Sequence, residues 1–269
     1  MHKLGGALLN DVILGALQGI TEWIPVSSDG TVSAVYSWLK GGDLDEALAY
    51  AQWLHLGTAP AAIIVLRKDV AALIREVAPK PKALSPLFKF LVVSTLVSAA
   101  VGLPLLILLD ETLNVAGPAL MGVIGGFLLV TGYVLLKQKV TGNRTRAELS
   151  PTDGVLAGVM QGLAALPGIS RSGMTMSILL ARRMDRQEAL VASFLMSIPA
   201  SLGGAFYGAL DSGFDIRTGH WAGAAAAFVV GLVCIKALLA VAGRVNFGAF
   251  VVAVGALMVV GAVVEGVVQ

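Results

Sequence analysis

The sequence predicts an all-α integral membrane protein with six transmembrane helices and two re-entrant helical hairpins in an inverted-topology repeat. Three observations lead to this prediction: an apolar composition, six long stretches with almost no charge, and two polar motifs that interrupt shorter apolar segments. Of the 269 residues, 57% are hydrophobic and 13% are charged, and the mean hydropathy is +0.83. Soluble domains carry about 25% charged residues. We therefore expect one membrane domain over residues 1–269.

Six stretches are long and apolar enough to cross a bilayer, which takes roughly 20 residues in a helix. A helix satisfies its own backbone hydrogen bonds, so it is the expected structure for each of them. The six stretches are Ala47–Leu66, Phe90–Leu109, Val115–Leu136, Ala189–Leu210, Trp221–Gly243 and Val245–Val264. Small residues such as Gly125 and Gly255 recur within them. Faces of this kind permit close helix packing and would permit a homodimer.

Two shorter apolar segments end in polar, turn-rich motifs. Val12–Thr21 leads to motif 1, which is Pro25–Gly30, and Gly154–Leu166 leads to motif 2, which is Pro167–Gly173. Another short apolar segment follows each motif: Thr31–Leu39 after the first and Met174–Ala181 after the second. A helix, a polar break and a half-helix are typical of a re-entrant hairpin. Such backbone is tolerated at membrane depth where it is buried in protein or lines a wet cavity.

The two halves of the chain repeat this pattern. Residues Gly15–Gly19 match Gly158–Gly162 in pattern, and the glutamines within them, Gln18 and Gln161, are 143 positions apart. Three predicted spans follow each hairpin, which gives internal repeats of approximately residues 1–140 and 150–269. Paired interrupted segments in corresponding halves mark the binding site of an inverted repeat. The two motifs are therefore expected to form one site.

The distribution of charge predicts the orientation of the chain. The connections after the first and third predicted spans are basic, with Arg67, Lys68, Arg75, Lys80, Lys82, Lys89, Lys137, Lys139, Arg144 and Arg146. Other connections are acidic, with Asp43, Asp45, Glu46, Asp110, Glu111, Asp211 and Asp215. Positive loops stay in the cytoplasm. Six crossings then place both termini outside the cell membrane, with the first hairpin entering from outside and the second from the cytoplasm.

Motif 2 carries the side chains that best suit a phosphate. Arg171 stands between Ser170 and Ser172, and a guanidinium group binds phosphate oxygens through two parallel hydrogen bonds. Gly173 follows at the start of a half-helix, where backbone amides also favour an anion. Arg171 could instead pair with a carboxylate in a purely structural role.

Motif 1 adds hydroxyl groups and a carboxylate. Ser27 and Ser28 occupy the place that matches the serines of motif 2, and Glu22 stands just before them. A carboxylate there could take a proton from a serine or help to hold a divalent cation. Either serine could also simply cap the following helix, and Gln18 and Gln161 could bridge the two hairpins or contact substrate. Ionisable groups within a membrane are functional by default, so the two motifs together predict a phosphate or diphosphate pocket.

These motifs resemble the signature motifs of the undecaprenyl-diphosphate phosphatase family of the bacitracin-resistance type. Residues 15–30, GALQGITEWIPVSSDG, and residues 166–173, LPGISRSG, carry the resemblance, together with motif order, motif separation and chain length. The resemblance implies a membrane enzyme that removes the terminal phosphate of a polyprenyl diphosphate lipid carrier, which is then reused in cell-envelope synthesis. It also implies a site that opens to the outer face and is assisted by a divalent cation, such as Mg²⁺ or Ca²⁺.

The resemblance assigns roles to particular residues. Ser28 would be the nucleophile, with Ser27 beside it, and Glu22 would relay a proton or hold the metal. Arg171 and the serines on either side of it would bind the phosphate. The expected partners are the polyprenyl diphosphate and the surrounding membrane lipids.

The sequence departs from the family at two positions, which marks a divergent member. The family usually has glutamate where Gln18 stands and histidine where Thr31 stands. Asp29 could replace the lost carboxylate, and His55, within the first predicted span, could replace the lost imidazole. Taken alone, His55 is more typical of a residue that forms a hydrogen bond between packed helices. Both compensations are hypotheses.

Three classes of function follow from these observations. The first is the phosphatase, and the second is a transporter that flips polyprenyl phosphate or moves another anion through the same repeat. The third, a structural subunit, has no feature in its favour. Nucleic acid is not an expected partner, because no basic run is interleaved with aromatic residues. The single cysteine, Cys234, excludes a disulfide and a cysteine-based metal site within the chain.

Overall fold

The computed structural model is all-α over the residues it describes, which are 2–41, 44–77, 84–112, 118–137, 142–166, 168–211, 218–241 and 247–268. Within these ranges the chain forms eleven α-helices and one short 3₁₀ helix. The first six are α1 His2–Thr21, α2 Ser28–Lys40, α3 Leu44–Val65, α4 Arg67–Glu76, α5 Pro86–Thr112 and α6 Pro118–Lys137. The 3₁₀ helix Arg146–Glu148 precedes α7 Pro151–Leu163, α8 Arg171–Ala181, α9 Arg186–Asp211, α10 Thr218–Val241 and α11 Phe247–Val268. The all-α part of the predicted fold class is therefore confirmed over the described residues.

Four helices in the described ranges are long and apolar enough to cross a bilayer, so the chain is a multi-pass membrane protein. The apolar parts are Asp45–Val65 of α3, Pro86–Leu108 of α5, Arg186–Tyr207 of α9 and Gly219–Val241 of α10. They coincide with four of the six predicted spans. The other two predicted spans form α6 and α11, but residues 115–117 and 245–246 at their starts lie outside the described ranges. Whether α6 and α11 cross the membrane stays a prediction.

Several residues that entered the sequence predictions also lie outside the described ranges. They are the motif residue Pro167 and the loop residues Asp43, Lys80, Lys82, Lys139 and Asp215.

Both predicted helix–break–helix units are present as helical hairpins, α1–α2 and α7–α8. Helix α1 is longer than the predicted segment Val12–Thr21, because the charge of Asp11 does not end it. The Asp11 carboxylate is buried and accepts hydrogen bonds from the Lys40 ammonium and, at 2.7 Å, from the Tyr50 hydroxyl. A partnered carboxylate of this kind is tolerated inside a bundle.

Each hairpin packs against a long helix from the opposite half of the chain: α1 lies along α10, and α7 lies along α5. Glycines make these contacts close. A side chain at Gly15 would overlap the backbone of Gly223, and a Cβ atom at Gly158 would lie 2.7 Å from the Ser94 carbonyl oxygen. Helix α3 packs on α9 and α10 and also contacts α2 of the first hairpin.

Two of the small residues that would permit a homodimer, Gly125 and Gly255, lie at a contact between two helices of the chain itself. Helices α6 and α11 pack along one another. A Cβ atom at Gly125 would lie 2.9 Å from the Gly255 carbonyl oxygen, and a Cβ atom at Gly255 would lie 2.9 Å from the Gly125 carbonyl oxygen. Gly126, on the same helix, has open space in front of it. A homodimer through these helices stays a prediction.

A buried carboxylate ties the second hairpin to its neighbouring loop. Asp153, in the first turn of α7, accepts hydrogen bonds from Arg144 at 2.8 Å, Arg182 at 2.6 Å and Ser150 at 2.7 Å. Burial raises the pKa of the Asp153 carboxyl, but these hydrogen bonds outweigh it and hold the pKa below its ordinary value of 3.8. Asp153 is therefore an ionised anchor at the open end of the hairpin.

Candidate active site

The two motifs fold into the same local structure. Ser27 is the N-cap of α2 and Ser170 is the N-cap of α8, and each hydroxyl accepts a hydrogen bond of 3.2 Å from the amide three residues further on. The backbone angles also agree, with φ −70° and ψ 107° at Ser27 and φ −74° and ψ 115° at Ser170. The cap hydroxyls satisfy amides that a helix start would otherwise leave unpaired. Ser28 and Arg171 are therefore equivalent residues, each the first of its half-helix.

The motifs also contact one another directly. The Ser27 oxygen accepts a second hydrogen bond from the Gly168 amide at 3.0 Å, and the Ser172 hydroxyl donates to the Ile24 carbonyl at 3.0 Å. A Cβ atom at Gly173 would lie 3.2 Å from Pro25. The starts of the two half-helices thus meet, and Ser27 is engaged by two backbone amides.

Glu22 lies at the centre of the site, in the turn between α1 and α2, and only 3% of its surface is exposed. The Ser28 hydroxyl donates to its Oε2 at 2.7 Å, and the Gln18 amide donates to the same oxygen at 3.0 Å. The Arg171 guanidinium forms an ion pair with Oε1, which also accepts a hydrogen bond from the Ser201 hydroxyl at 3.2 Å. The structure therefore brings together the three residues predicted to be catalytic.

The two residues predicted to compensate for missing family groups lie beside this centre. The Nε2 atom of His55 is 3.3 Å from Oε2 of Glu22 and 3.8 Å from Oδ1 of Asp29. The other ring nitrogen, Nδ1, is 3.1 Å from the Ala51 carbonyl oxygen. A carbonyl oxygen only accepts hydrogen bonds, so Nδ1 carries a hydrogen. Two carboxylates face Nε2, and they also require a donor there. The doubly protonated imidazolium therefore has a hydrogen on each ring nitrogen for its acceptors.

A cavity of about 420 Å³ opens onto these groups. Its polar end is lined by Ser28, Asp29, His55 and Arg171. The remaining wall consists largely of small and apolar side chains of α5 and α9, including Phe206, which is 67% exposed at the outer surface of the bundle. A cavity with one anion-binding end and one apolar wall suits an amphipathic lipid with a charged head group.

The two glutamines do not bridge the hairpins, so that interpretation is wrong. The Gln18 amide donates to Glu22 of its own hairpin, and the Gln161 amide donates to the Ser98 hydroxyl on α5 at 3.2 Å. Gln18 is fully buried, and Gln161 lines the cavity. Gln18 is therefore placed to orient Glu22, and Gln161 is placed to contact a ligand.

The donor groups around Glu22 do not suit a cation held there by the protein. Both of its oxygens accept hydrogen bonds from N–H or O–H groups of neighbouring side chains. In the part of the chain that the structure describes, no group of three histidine, cysteine or acidic side chains has metal-binding geometry. A metal ion on Glu22 would have to displace Arg171 or the Ser28 hydroxyl, so the expected role of Glu22 as a metal ligand does not fit its surroundings.

The sequence did not point to Gln52 or Ser201, although both contact the site. The Gln52 amide donates to Oδ2 of Asp29 at 3.1 Å, and Ser201 donates to Glu22 as described. A signal for Gln52 was available, because polar residues three apart in an apolar span share one face of the helix, and His55 is three residues further on. Ser201 has a comparable signal, because Ser193, Ser197 and Ser201 follow at intervals of four residues and share one face of α9.

Comparison with known proteins places this chain among bacitracin-resistance proteins. A family model described as "Bacitracin resistance protein BacA" matches residues 11–261, which include both motifs. The undecaprenyl-diphosphatase of Methanococcoides burtonii is 39% identical over 260 residues, covering 94% of this chain and 97% of that protein. That of Methanopyrus kandleri is 38% identical over 245 residues, covering 88% and 89%. That of Haloarcula marismortui is 36% identical over 264 residues, covering 94% and 97%.

Proposed function

Because this chain belongs to the bacitracin resistance protein BacA family, we propose that it is a membrane phosphatase. It hydrolyses the terminal phosphate of a polyprenyl (undecaprenyl-type) diphosphate and releases the lipid monophosphate for reuse in cell-envelope synthesis. One observation carries this function: Glu22 is shared between the Ser28 hydroxyl and the Arg171 guanidinium at the polar end of a cavity with an apolar wall. A nucleophile, a base and a phosphate-binding cation are thus in mutual contact.

In the first step, the Ser28 oxygen attacks the terminal phosphorus of the diphosphate. Its proton passes to Glu22, whose Oε2 already accepts the Ser28 hydrogen bond at 2.7 Å. The bond between phosphorus and the bridging oxygen breaks, and the lipid monophosphate leaves. Arg171 turns from Glu22 to the phosphate, so its positive charge stabilises the developing negative charge while Glu22 becomes free to act as a base.

In the second step, water hydrolyses the phosphoserine. Water adds to phosphorus and passes its proton to the carboxylate of Asp29, which lines the cavity and then releases the proton to water. The Ser28 oxygen leaves and takes its proton back from Glu22, which releases inorganic phosphate. The His55 imidazolium lies against both carboxylates and holds them in place. Asp29 and His55 thereby have the roles of the carboxylate and the imidazole that the family usually has at positions 18 and 31.

Ser28 is a better nucleophile than Ser27 because of how each hydroxyl is engaged. The Ser27 oxygen accepts hydrogen bonds from two backbone amides, and these occupy the lone pairs that an attack would need. Ser28 donates to a carboxylate instead. Ser170 and Ser172 resemble Ser27 in being bonded to the backbone of the motifs, so their contribution to phosphate binding is to hold Arg171 and the helix start in position.

The same proposal includes the arrangement of six spans and two re-entrant hairpins as an inverted repeat, with repeats of approximately residues 1–140 and 150–269. The paired packing of α1 on α10 and of α7 on α5 supports it, as do the matching serine caps. The uneven loop charge supports a plasma-membrane protein with both termini outside and a site that opens to the outer face. Labelling of single cysteines near each terminus in intact cells, in a Cys234→Ser background, would test the orientation.

A divalent cation, Mg²⁺ or Ca²⁺, remains part of the proposal as an activator, although no step above depends on one. The Asp29 carboxylate lines the cavity and is the carboxylate of the site best placed to contact a cation that arrives with the diphosphate. Rates measured with Mg²⁺, with Ca²⁺ and with a chelator would test it.

The function is tested by release of inorganic phosphate from a polyprenyl diphosphate in detergent. We expect release by the wild-type protein and almost none by Arg171→Ala. Arg75→Ala removes an exposed arginine of α4 and serves as the matched control with unchanged activity. Wild-type release no greater than that of Arg171→Ala would contradict the phosphatase, and lipid flipping by the protein in vesicles would then favour the transporter.

A further inference from the structure

We propose that Gln52 is a positioning residue, which holds the Asp29 carboxylate in the orientation that proton transfer requires. This inference rests on the proposed phosphatase function. Gln52 lies on α3, one turn before His55, and its side-chain amide donates to Oδ2 of Asp29 at 3.1 Å. It is thus a second side chain, beside His55, that determines where Asp29 points.

Asp29 needs an external partner because its own helix does not hold it. The start of α2 is capped by Ser27, whose hydroxyl accepts the hydrogen bond from the Gly30 amide. The side chain of Asp29 is 26% exposed and lines the cavity. Without a partner it could rotate about its two single bonds. The hydrogen bond from Gln52 fixes Oδ2, and this leaves Oδ1 directed to His55 at 3.8 Å.

Helix α9 supports Gln52 from the opposite side. A Cβ atom at Gly204 would overlap the side-chain oxygen of Gln52, so any other residue at this position would displace the amide. Ser201, one turn earlier on α9, contacts Glu22. Helix α9 therefore helps to position both carboxylates of the site. Ser201 donates to Glu22, and Gly204 leaves room for Gln52, which donates to Asp29.

Two other roles for Gln52 give different expectations. A purely structural glutamine would lower stability when replaced, and its effect on rate would not depend on Asp29. A glutamine that binds substrate directly would change KM more than kcat, since it lines the cavity. A positioning residue lowers kcat and loses its effect once Asp29 is no longer a carboxylate.

The experiment is a double-mutant cycle on the purified full-length protein, with phosphate release from polyprenyl diphosphate as the readout. Gln52→Leu keeps the volume but removes the amide, and Gly204→Ala displaces it. We expect each to lower kcat roughly tenfold, as for the loss of a hydrogen bond to a charged group, with KM changed less than about twofold. Neither should lower the rate further in an Asp29→Asn background.

Gly126→Ala is the matched control, because it adds the same methyl group to a helix at a place with open space. Its activity should equal that of the wild type. If the wild type is active but Gln52→Leu keeps the wild-type kcat, the positioning role is wrong while the phosphatase stands. The same holds if the fall in kcat caused by Gln52→Leu multiplies with the fall caused by Asp29→Asn. If the wild type releases no phosphate, both fail together.

Discussion

The replacement His55→Gln tests how the site works without the usual family histidine. Glutamine keeps a similar length and can still donate a hydrogen bond to Glu22, but it carries neither a charge nor a transferable proton. In the structure, the ring lies 3.3 Å from the nearer oxygen of Glu22 and 3.8 Å from that of Asp29. The substitution therefore removes the cation between two carboxylates and little else.

The size of the effect follows from these distances. At an effective dielectric constant of 20, a unit charge at such distances attracts each carboxylate by about 4–5 kcal/mol. Most of this attraction offsets the cost of burying the charged ring. Removing one partner of a buried ion pair leaves an uncompensated charge, which costs about 3–5 kcal/mol, and we expect most of this cost to appear in the activation barrier. We therefore expect kcat of His55→Gln to fall by at least about 100-fold, which corresponds to about 2.7 kcal/mol in the activation free energy.

The assay is steady-state phosphate release, with His220→Gln as a control that replaces another buried histidine. His220→Gln should retain wild-type kcat, even if its packing against the Tyr50 ring is weakened. Adding Thr31→His to His55→Gln should restore part of the rate, because the resembling family has its histidine at that position. A His55→Gln enzyme within about threefold of the wild type would refute the role assigned to this ring.

Three further predictions concern the serines and the second hairpin. Ser28→Ala should lower phosphate release by about 10³-fold or more without loss of folding, since it removes the nucleophile. Ser27→Ala should keep much of the activity but lower the melting temperature, because loss of an N-cap costs about 1 kcal/mol. The pKa of Asp153 is below its ordinary 3.8, so its contribution to stability is present above about pH 4 and is lost as pH falls through the lowered value. Asp153→Asn removes the ion pairs with Arg144 and Arg182, so it should lower the melting temperature at pH 7. It should also reduce the loss of stability on acidification.

The parts of the site that the sequence predicted are those encoded by local repetition. Ser27 and Ser170 are 143 positions apart, as are Gln18 and Gln161, and this spacing predicted two equivalent hairpins. A serine cap acts within three residues of itself, so its structure follows from the local sequence. The sequence also allows a pairing of Arg171 with a carboxylate, and the structure shows such a pair with Glu22.

The parts that the sequence did not predict depend on packing between distant helices. Ser201 is 179 positions from Glu22. The serines at 193, 197 and 201 mark one face of α9, but the local sequence does not indicate which element that face contacts. Gln161 was expected to reach the other hairpin, but α7 packs on α5 and the amide donates to Ser98 there. Asp11 interrupts an apolar run and suggested a shorter helix, whereas a tertiary partner, Tyr50, satisfies the carboxylate.

The rate of phosphate release by Glu22→Gln, compared with the wild type on the same polyprenyl diphosphate, is the most direct test of the mechanism. Glu22 joins the Ser28 hydroxyl to the Arg171 guanidinium, and glutamine in its place keeps the shape but cannot accept the serine proton. We predict that the wild type releases phosphate and that Glu22→Gln retains less than about one thousandth of that rate. A folded Glu22→Gln protein with more than about one tenth of the wild-type rate would contradict a mechanism centred on this carboxylate.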